Sequence, residues 1–224
     1  MHTQLIVEHT PENPKSNIVL ASSSTHCKQI EQFAWRCFNK AYDADLKDFL
    51  PHMLALVDQQ HAINASAGFQ SARNNPLYLE QYLSVPIEQA IQQQLQLVGT
   101  PRREQILEVG NLASTSPGAT RRLILSLAQH FQQRGFKWLA ITATPKVRCS
   151  FDKLNLELHH LAQAFPEALT HSATDWGRYY THQPNVYVGD IESGIATLSQ
   201  SPLFKRMIER SPAPISDQFL HIKG

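Results

Sequence analysis

Glu108 is the best-placed general base in the sequence, because it interrupts an otherwise apolar run, Ile106-Leu107-Glu108-Val109. Burial in such a strand raises a carboxyl pKa toward neutrality, which suits it to take a proton from an ammonium, directly or through water. The competing reading pairs Glu108 with a nearby arginine and gives it no chemistry. Shortly downstream, Thr115-Ser116-Pro117-Gly118-Ala119-Thr120 leads into a helical pattern with Arg121 and Arg122 on its first turn. A helix start presents unpaired N–H groups and a partial positive charge, a ready site for an anion. Two arginines there repel the positive end of the helix dipole, and an anion would offset that repulsion. Cys149 is a candidate nucleophile or proton donor, or else a buried structural thiol. Asp43, Asp45 and Asp48 have spacing open to a metal, but lack the glycine and closing glutamate of a calcium loop, which favours a solvated loop. His159 and His160 are adjacent, so on a strand they point to opposite faces and make a poor bidentate pair.

The elements around these residues are predicted from their periodicity. Residues 106–114 read as a strand. Leu123, Ile124, Leu127, Ala128 and Phe131 form one face of a helix that Gly135 ends as a C-cap, and Trp138–Ala143 reads as a second strand. This strand–loop–helix–strand order is a βαβ unit with parallel strands and a right-handed crossover. Upstream, 4–9 and 17–21 are short strand candidates. Ser22–Thr25 offers an N-cap, and Ile30, Phe33, Ala34, Cys37, Phe38 and Ala41 mark an amphipathic helix over 27–41. Residues 53–58 and 63–71 form a predicted hairpin. Helical stretches flank Pro86, which fits the first turn of the second of them. Glu80 lies there among Tyr78, Leu79, Tyr82 and Leu83, a group that is core or the wall of a site for an apolar chain. A short helix around Val147, Phe151 and Leu154, then a strand or loop over 156–161, follow the βαβ unit. Trp176, Tyr179 and Tyr180 form an aromatic knot about Gly177, and 186–188 is a short strand. Residues 1–190 make one domain, with a helix near 202–209 and a loose tail within 191–224.

The chain has 224 residues, 42% of them hydrophobic, and a formal net charge of +1. That suits one substantial globular domain and gives no basic surplus for nucleic acid. No apolar run approaches the ~18 residues of a membrane-spanning helix. The N-terminus lacks a secretory signal, and three cysteines without metal-ligand spacing fit reduced thiols, so a cytoplasmic location is expected. No metal is expected, and the oligomeric state is left open.

The βαβ layout resembles the core of GNAT-type N-acyltransferases, whose loop is usually Arg/Gln-x-x-Gly-x-Gly/Ala; here the loop has a single glycine. The phrases FNKAYDADLKDFLPHMLALVD, RNNPLYLEQYLSVPIE, ILEVGNLAST, WLAITATPKVR and WGRYYTHQPNVYVGDI together resemble the thermostable hemolysin family over roughly residues 38–191. The front half is also similar to acyl-homoserine-lactone synthases, although their Arg/Trp/Asp pattern is not reproduced. These resemblances imply an α/β (α+β) fold, with a mixed, largely antiparallel central sheet, one parallel strand pair and flanking helices. They imply acyl transfer from a coenzyme A or acyl-carrier-protein thioester, with a fatty acyl group, to a small amine or amino acid. Backbone groups of Asn111, Leu112 and Ala113 would meet pantetheine or the carbonyl oxygen. Pro117, Gly118, Ala119 and Thr120, with Arg121 and Arg122, would hold phosphate. Glu108, Arg148 and Cys149 are the catalytic candidates. Arg36, Asp43 and Asp45 match the acceptor side, with Arg73, Tyr78, Glu80, Trp176 and Tyr179 as further substrate contacts. The competing reading is a non-catalytic or lytic protein with a degenerate GNAT core. A membrane-damaging role is not supported by any export signal or spanning segment in the sequence.

Overall fold

The computed structural model describes residues 17–21, 23–169, 173–202 and 204–205. Apolar runs build a seven-stranded sheet from β1 (Asn17–Leu20), β2 (His52–Val57), β3 (Ile63–Ser71), β4 (Ile106–Ser114), β5 (Trp138–Ala143), β6 (His159–Gln163) and β7 (Asn185–Asp190). The order is β1-β2-β3-β4-β5-β7-β6. Every neighbouring pair is antiparallel except β4–β5, the pair joined by the crossover helix. The helices are α1 (Ser24–Tyr42), α2 (Ile87–Leu95), α3 (Pro117–Gln133), α4 (Pro145–Asp152) and α5 (Ile191–Ser199). The fold is therefore the mixed, mainly antiparallel α/β sheet expected. The strand predicted at 4–9 and most of the helix predicted near 202–209 lie outside the described residues.

Side chains alternate across the sheet and fill two layers. Leu54, Leu56, Leu107, Val109 and Ile141 face α3, where Leu123, Leu127 and Phe131 meet them. Phe131 is fully buried, and a side chain of its size contributes roughly 1.5–3 kcal/mol by that burial. On the opposite face, Met53, Ala55 and Val57 pack on Ile30, Phe33 and Phe38 of α1. Ile106, Trp138 and Ala140 pack on Leu77, Leu79, Ile87 and Ile91.

Local signals act as expected at most ends. Ser23 caps α1 by accepting from His26 N–H at 3.2 Å. Gly135, at φ 79, follows α3 while Phe136 N–H reaches back to Phe131 carbonyl at 3.1 Å, the left-handed stop that glycine allows. Pro86 stands one residue earlier than expected, as the N-cap of α2, and the segment before it is a short 3-10 helix, Tyr78–Tyr82. Helix α5 was not predicted. Ser193, Gly194, Thr197 and Ser199 give it a weak helical signal, and tertiary packing holds it: Ile191 and Leu198 enter the core shared with α3.

The feature that makes room for a site is a divergence of strands. β4 and β5 pair only from Ile106↔Trp138 to Val109↔Ile141. Beyond that point β5 continues along β7 to Ala143↔Asn185, and β4 continues along β3 to Ser114↔Ala65. The parting coincides with a bulge: Asn111 sits at φ 47, and the β3–β4 register shifts between Ser66 and Gly68. Asn111 Oδ1 accepts the Leu50 N–H at 2.9 Å. Leu50 then lies on the paired glycines Gly68 and Gly110, where a Cβ at either position would come within 2.9 Å of its side chain.

Candidate active site

Two adjoining cavities open where β4 and β5 part. The first is a chamber and the second a cleft; Phe38, Tyr42, Leu112 and Val147 line both. The cleft runs between the start of α3 and α4, and Arg121, Lys146 and Lys153 supply positive charge along it. Ser116 and Thr120 sit at its floor, with Ser114 Oγ and Thr120 Oγ1 2.6 Å apart. At the helix start, Ser116 Oγ accepts from Ala119 N–H at 3.2 Å, and Ser116 carbonyl accepts from Thr120 N–H at 3.1 Å. Two of the three N–H groups expected to hold phosphate are thus used within the turn. Gly118 N–H has no acceptor among the described residues, and a Cβ at Gly118 would meet only Ser116 Oγ, at 3.8 Å. That approach is open to an outside anion.

Arg122 does not line the cleft, whereas Arg121 does. Lys146 and Lys153 are further basic residues of the cleft, outside the loop motif. Their spacing of seven, two helical turns, puts both on one face, and that spacing is visible in the sequence. Cys149 is exposed in the cleft wall. Arg148 is turned elsewhere: it pairs with Asp152 at 2.8 Å and lies 5.0 Å over the Tyr187 ring.

The chamber is built from aromatic rings and two carboxyl groups. Phe38, Tyr42, Trp176 and Tyr179 form a connected wall, with ring centres 5.1 Å apart for Trp176–Tyr179 and 5.2 Å for Tyr42–Tyr179. Tyr78 adds to it, 6.3 Å from Trp176. The wall is pinned by Gly177, at φ 49. A Cβ there would fall 2.4 Å from the Asp43 carbonyl oxygen, so only glycine fits. Tyr82 and Tyr180 join hydroxyl to hydroxyl at 2.6 Å.

Glu108 reaches the chamber from β4 and is only 3% exposed. Its Oε2 accepts from Leu79 N–H at 3.4 Å and lies 3.5 Å from Gln70 Nε2. Burial pushes its pKa up to about 8, and the nearby negative charge of Glu80 works in the same direction. The backbone N–H groups of Leu79 and Tyr78 and the Gln70 amide oppose that rise. No arginine pairs with it among the described contacts. Asp48 also lines the chamber, from the exposed loop after α1. The unpartnered hydroxyl of Thr142 is buried in the same lining.

The other sequence candidates are dispersed. Glu80 is a structural anchor: Arg103 grips it with bonds of 2.9 and 3.0 Å, and Ile87 N–H donates to it at 2.9 Å. Burial works to raise its pKa, but those bonds prevail and hold it below the ordinary carboxylate range. Arg36, Asp43, Asp45 and Arg73 are exposed and line neither cavity. Asp43 ends α1 at φ 59, and Asp45 accepts from Trp35 Nε1–H at 2.9 Å. Asn111 and Leu112 line the chamber, and Leu112 and Ala113 the cleft. Pro117 lies at the cleft mouth, and Ala119 is buried beneath it. Phe38, Tyr42, Thr142 and Val147 are not site candidates in the sequence, and Asp48 is one only through its spacing with Asp43 and Asp45, yet all five line the chamber. They come from four separate segments, α1, the loop after it, β5 and α4, and only the fold brings them together. Among the described residues, no group of three or more His, Cys, Asp or Glu is placed to hold a metal ion, and no helix is long and apolar enough to cross a membrane.

Residues 20–195 match the family model described as Thermostable hemolysin. No curated protein matches the chain in sequence. Among solved structures, the chain is similar to MesI, a CoA-dependent acyl-homoserine lactone synthase, with 15% identity, TM-score 0.53, and coverage of 90% of this chain and 100% of that one. It is also similar to FeeM, an N-acyl amino acid synthase from uncultured soil microbes, with 11% identity, TM-score 0.56, and coverage of 87% and 98%. A third is BjaI, a CoA-dependent acyl-homoserine lactone synthase with SAM and isopentyl-CoA, with 12% identity, TM-score 0.57, and coverage of 90% and 92%. At these identities the likeness is one of fold.

Proposed function

We propose that this chain, which belongs to the thermostable hemolysin family, is an N-acyltransferase. It moves an acyl group, fatty in our reading, from a coenzyme A or acyl-carrier-protein thioester to a small amine or amino acid. The observation that carries the proposal is the junction of the two cavities. A cationic cleft beside a helix start and a chamber holding a buried carboxyl share one apolar wall. The solved structures of similar fold include a CoA-dependent acyl-homoserine lactone synthase and an N-acyl amino acid synthase, whose products carry an acyl group, which supports the same reading.

In this scheme Arg121, Lys146 and Lys153 bind the phosphates of the donor, with Gly118 N–H as a further donor group. The β4 edge at residues 110–114, which has no β5 partner, is available to the pantetheine amides. The thioester carbonyl then lies by Leu112 and Val147, at the wall common to both cavities. The acceptor enters the chamber and meets Glu108. The amine must be neutral to attack. Glu108 takes the proton shed by nitrogen as the C–N bond forms, and hands it to the sulfur as the C–S bond breaks, leaving an amide and a free thiol. A base with pKa near the working pH combines enough ionised form with enough basicity, and burial of Glu108 supplies that value.

Thermal unfolding with acetyl-, octanoyl- and palmitoyl-coenzyme A tests the donor site. A dose-dependent rise in Tm, lost in Arg121→Ala/Lys146→Ala, is expected because a ligand bound to the native state stabilises it by mass action. No rise with these thioesters or with octanoyl-acyl carrier protein would overturn it and leave a non-catalytic core.

A further inference from the structure

The two cavities differ in charge as sharply as in position. The described residues of the cleft include Arg121, Lys146 and Lys153 and no carboxylate. Those of the chamber include Asp48 and Glu108 and no lysine, arginine or histidine. His182 packs on Tyr42 at 5.2 Å but does not line the chamber. Seven aromatic side chains line the chamber beside aliphatic ones such as Leu50 and Ile141, and ring faces attract cations through their quadrupole. We propose that the chamber is an acceptor site for a carboxylate-free, apolar primary amine, of the arylalkylamine or alkylamine class, and discriminates against α-amino acids.

The argument is one of counter-charges, and it deepens the acyltransferase reading above by choosing between its two acceptor classes. An ammonium group entering the chamber finds two carboxyl groups and the connected faces of Tyr42, Trp176 and Tyr179. An apolar body finds Phe38, Leu50 and Ile141. An α-amino acid brings the same ammonium and also a carboxylate. That carboxylate would leave water without a cationic partner, and a charge so buried is costly. A site built for amino acids supplies a basic side chain for that group. Here the basic side chains line the neighbouring cleft, which the proposed scheme gives to phosphate.

Calorimetric titration of the full chain at pH 8.5, where the Glu108 carboxyl is mainly ionised, tests this without any turnover, with phenethylamine, L-phenylalanine and 3-phenylpropionate, each with and without saturating coenzyme A. The expected result is that phenethylamine binds, L-phenylalanine binds at least tenfold more weakly, and 3-phenylpropionate does not bind. Asp48→Asn, a change in an exposed loop, should weaken phenethylamine about threefold, and Glu108→Gln should weaken it further. L-Phenylalanine or 3-phenylpropionate binding as tightly as phenethylamine would overturn the proposal. So would failure of phenethylamine to bind in either condition, which would leave the chamber to the acyl chain. Selective amine binding with no thiol release from either octanoyl-coenzyme A or octanoyl-acyl carrier protein would refute the acyltransferase reading while leaving the amine site intact.

Discussion

Replacing Glu108 by glutamine should make the protein more stable at neutral and alkaline pH, and the size of the gain follows from its surroundings. The carboxyl is 3% exposed, and burial raises its pKa from an ordinary 4.5 to about 8. In the unfolded chain it ionises near 4.5. Between these values the native state binds the extra proton, so native stability falls as pH rises across the window and levels off above about 8. At roughly 1.4 kcal/mol for each pH unit of the gap, ionising the buried group costs at most about 5 kcal/mol. Glutamine keeps the shape, and its amide oxygen can still accept the Leu79 N–H, but it never ionises. Urea unfolding of both proteins at pH 5, 6.5, 8 and 9 reads the difference directly. The two should be close at pH 5. The variant should lead by roughly 2–5 kcal/mol at pH 9. A constant difference across the series would mean that Glu108 ionises normally, and its assignment as a tuned base would fail.

Other perturbations follow from the same geometry. Gly177→Ala should cost about 3 kcal/mol in thermal or urea unfolding, since its Cβ would strike the Asp43 carbonyl at a positive φ. Arg103→Ala strips the counter-charge from Glu80 and Glu88 and should cost roughly 2–3 kcal/mol. Because Glu80 already pushes the Glu108 pKa upward, that variant should also move the alkaline rise in activity to higher pH. Lys153→Ala should weaken coenzyme A binding about three- to tenfold in calorimetry, with a smaller deficit in high salt because the contact is solvated.

Much of this architecture is legible in the sequence because it is local. The 3.6-residue spacing of Leu123, Leu127 and Phe131 marks α3, and Gly135 marks its end. Glu108 stands out because a charged residue in an apolar strand needs a reason to be there. Long-range features are less accessible. The partner of Glu80 is Arg103, 23 residues further on, so a structural ion pair reads locally as a substrate contact. Arg36, Asp43 and Asp45 were placed at the site by analogy with another family's arrangement; in this chain the helix and its end turn them to the surface. Asp48 and Thr142 enter the chamber only through tertiary packing. Neither the bulge at Asn111 nor the glycine pair beneath Leu50 has a sequence signature stronger than an Asn and two Gly in strands, yet together they shape the opening between β4 and β5.

The central claim is transfer of an acyl group within the joined cavities. The most direct measurement follows thiol release from octanoyl-coenzyme A and octanoyl-acyl carrier protein, with phenethylamine or an amino acid as acceptor, and identifies the product by mass spectrometry. The account predicts stoichiometric thiol and N-octanoyl amide, with a rate that climbs as pH rises toward about 8 and is lost in Glu108→Gln. Undiminished turnover in that variant would remove Glu108 from the chemistry. Absence of thiol release from both donors with every acceptor would contradict the account as a whole.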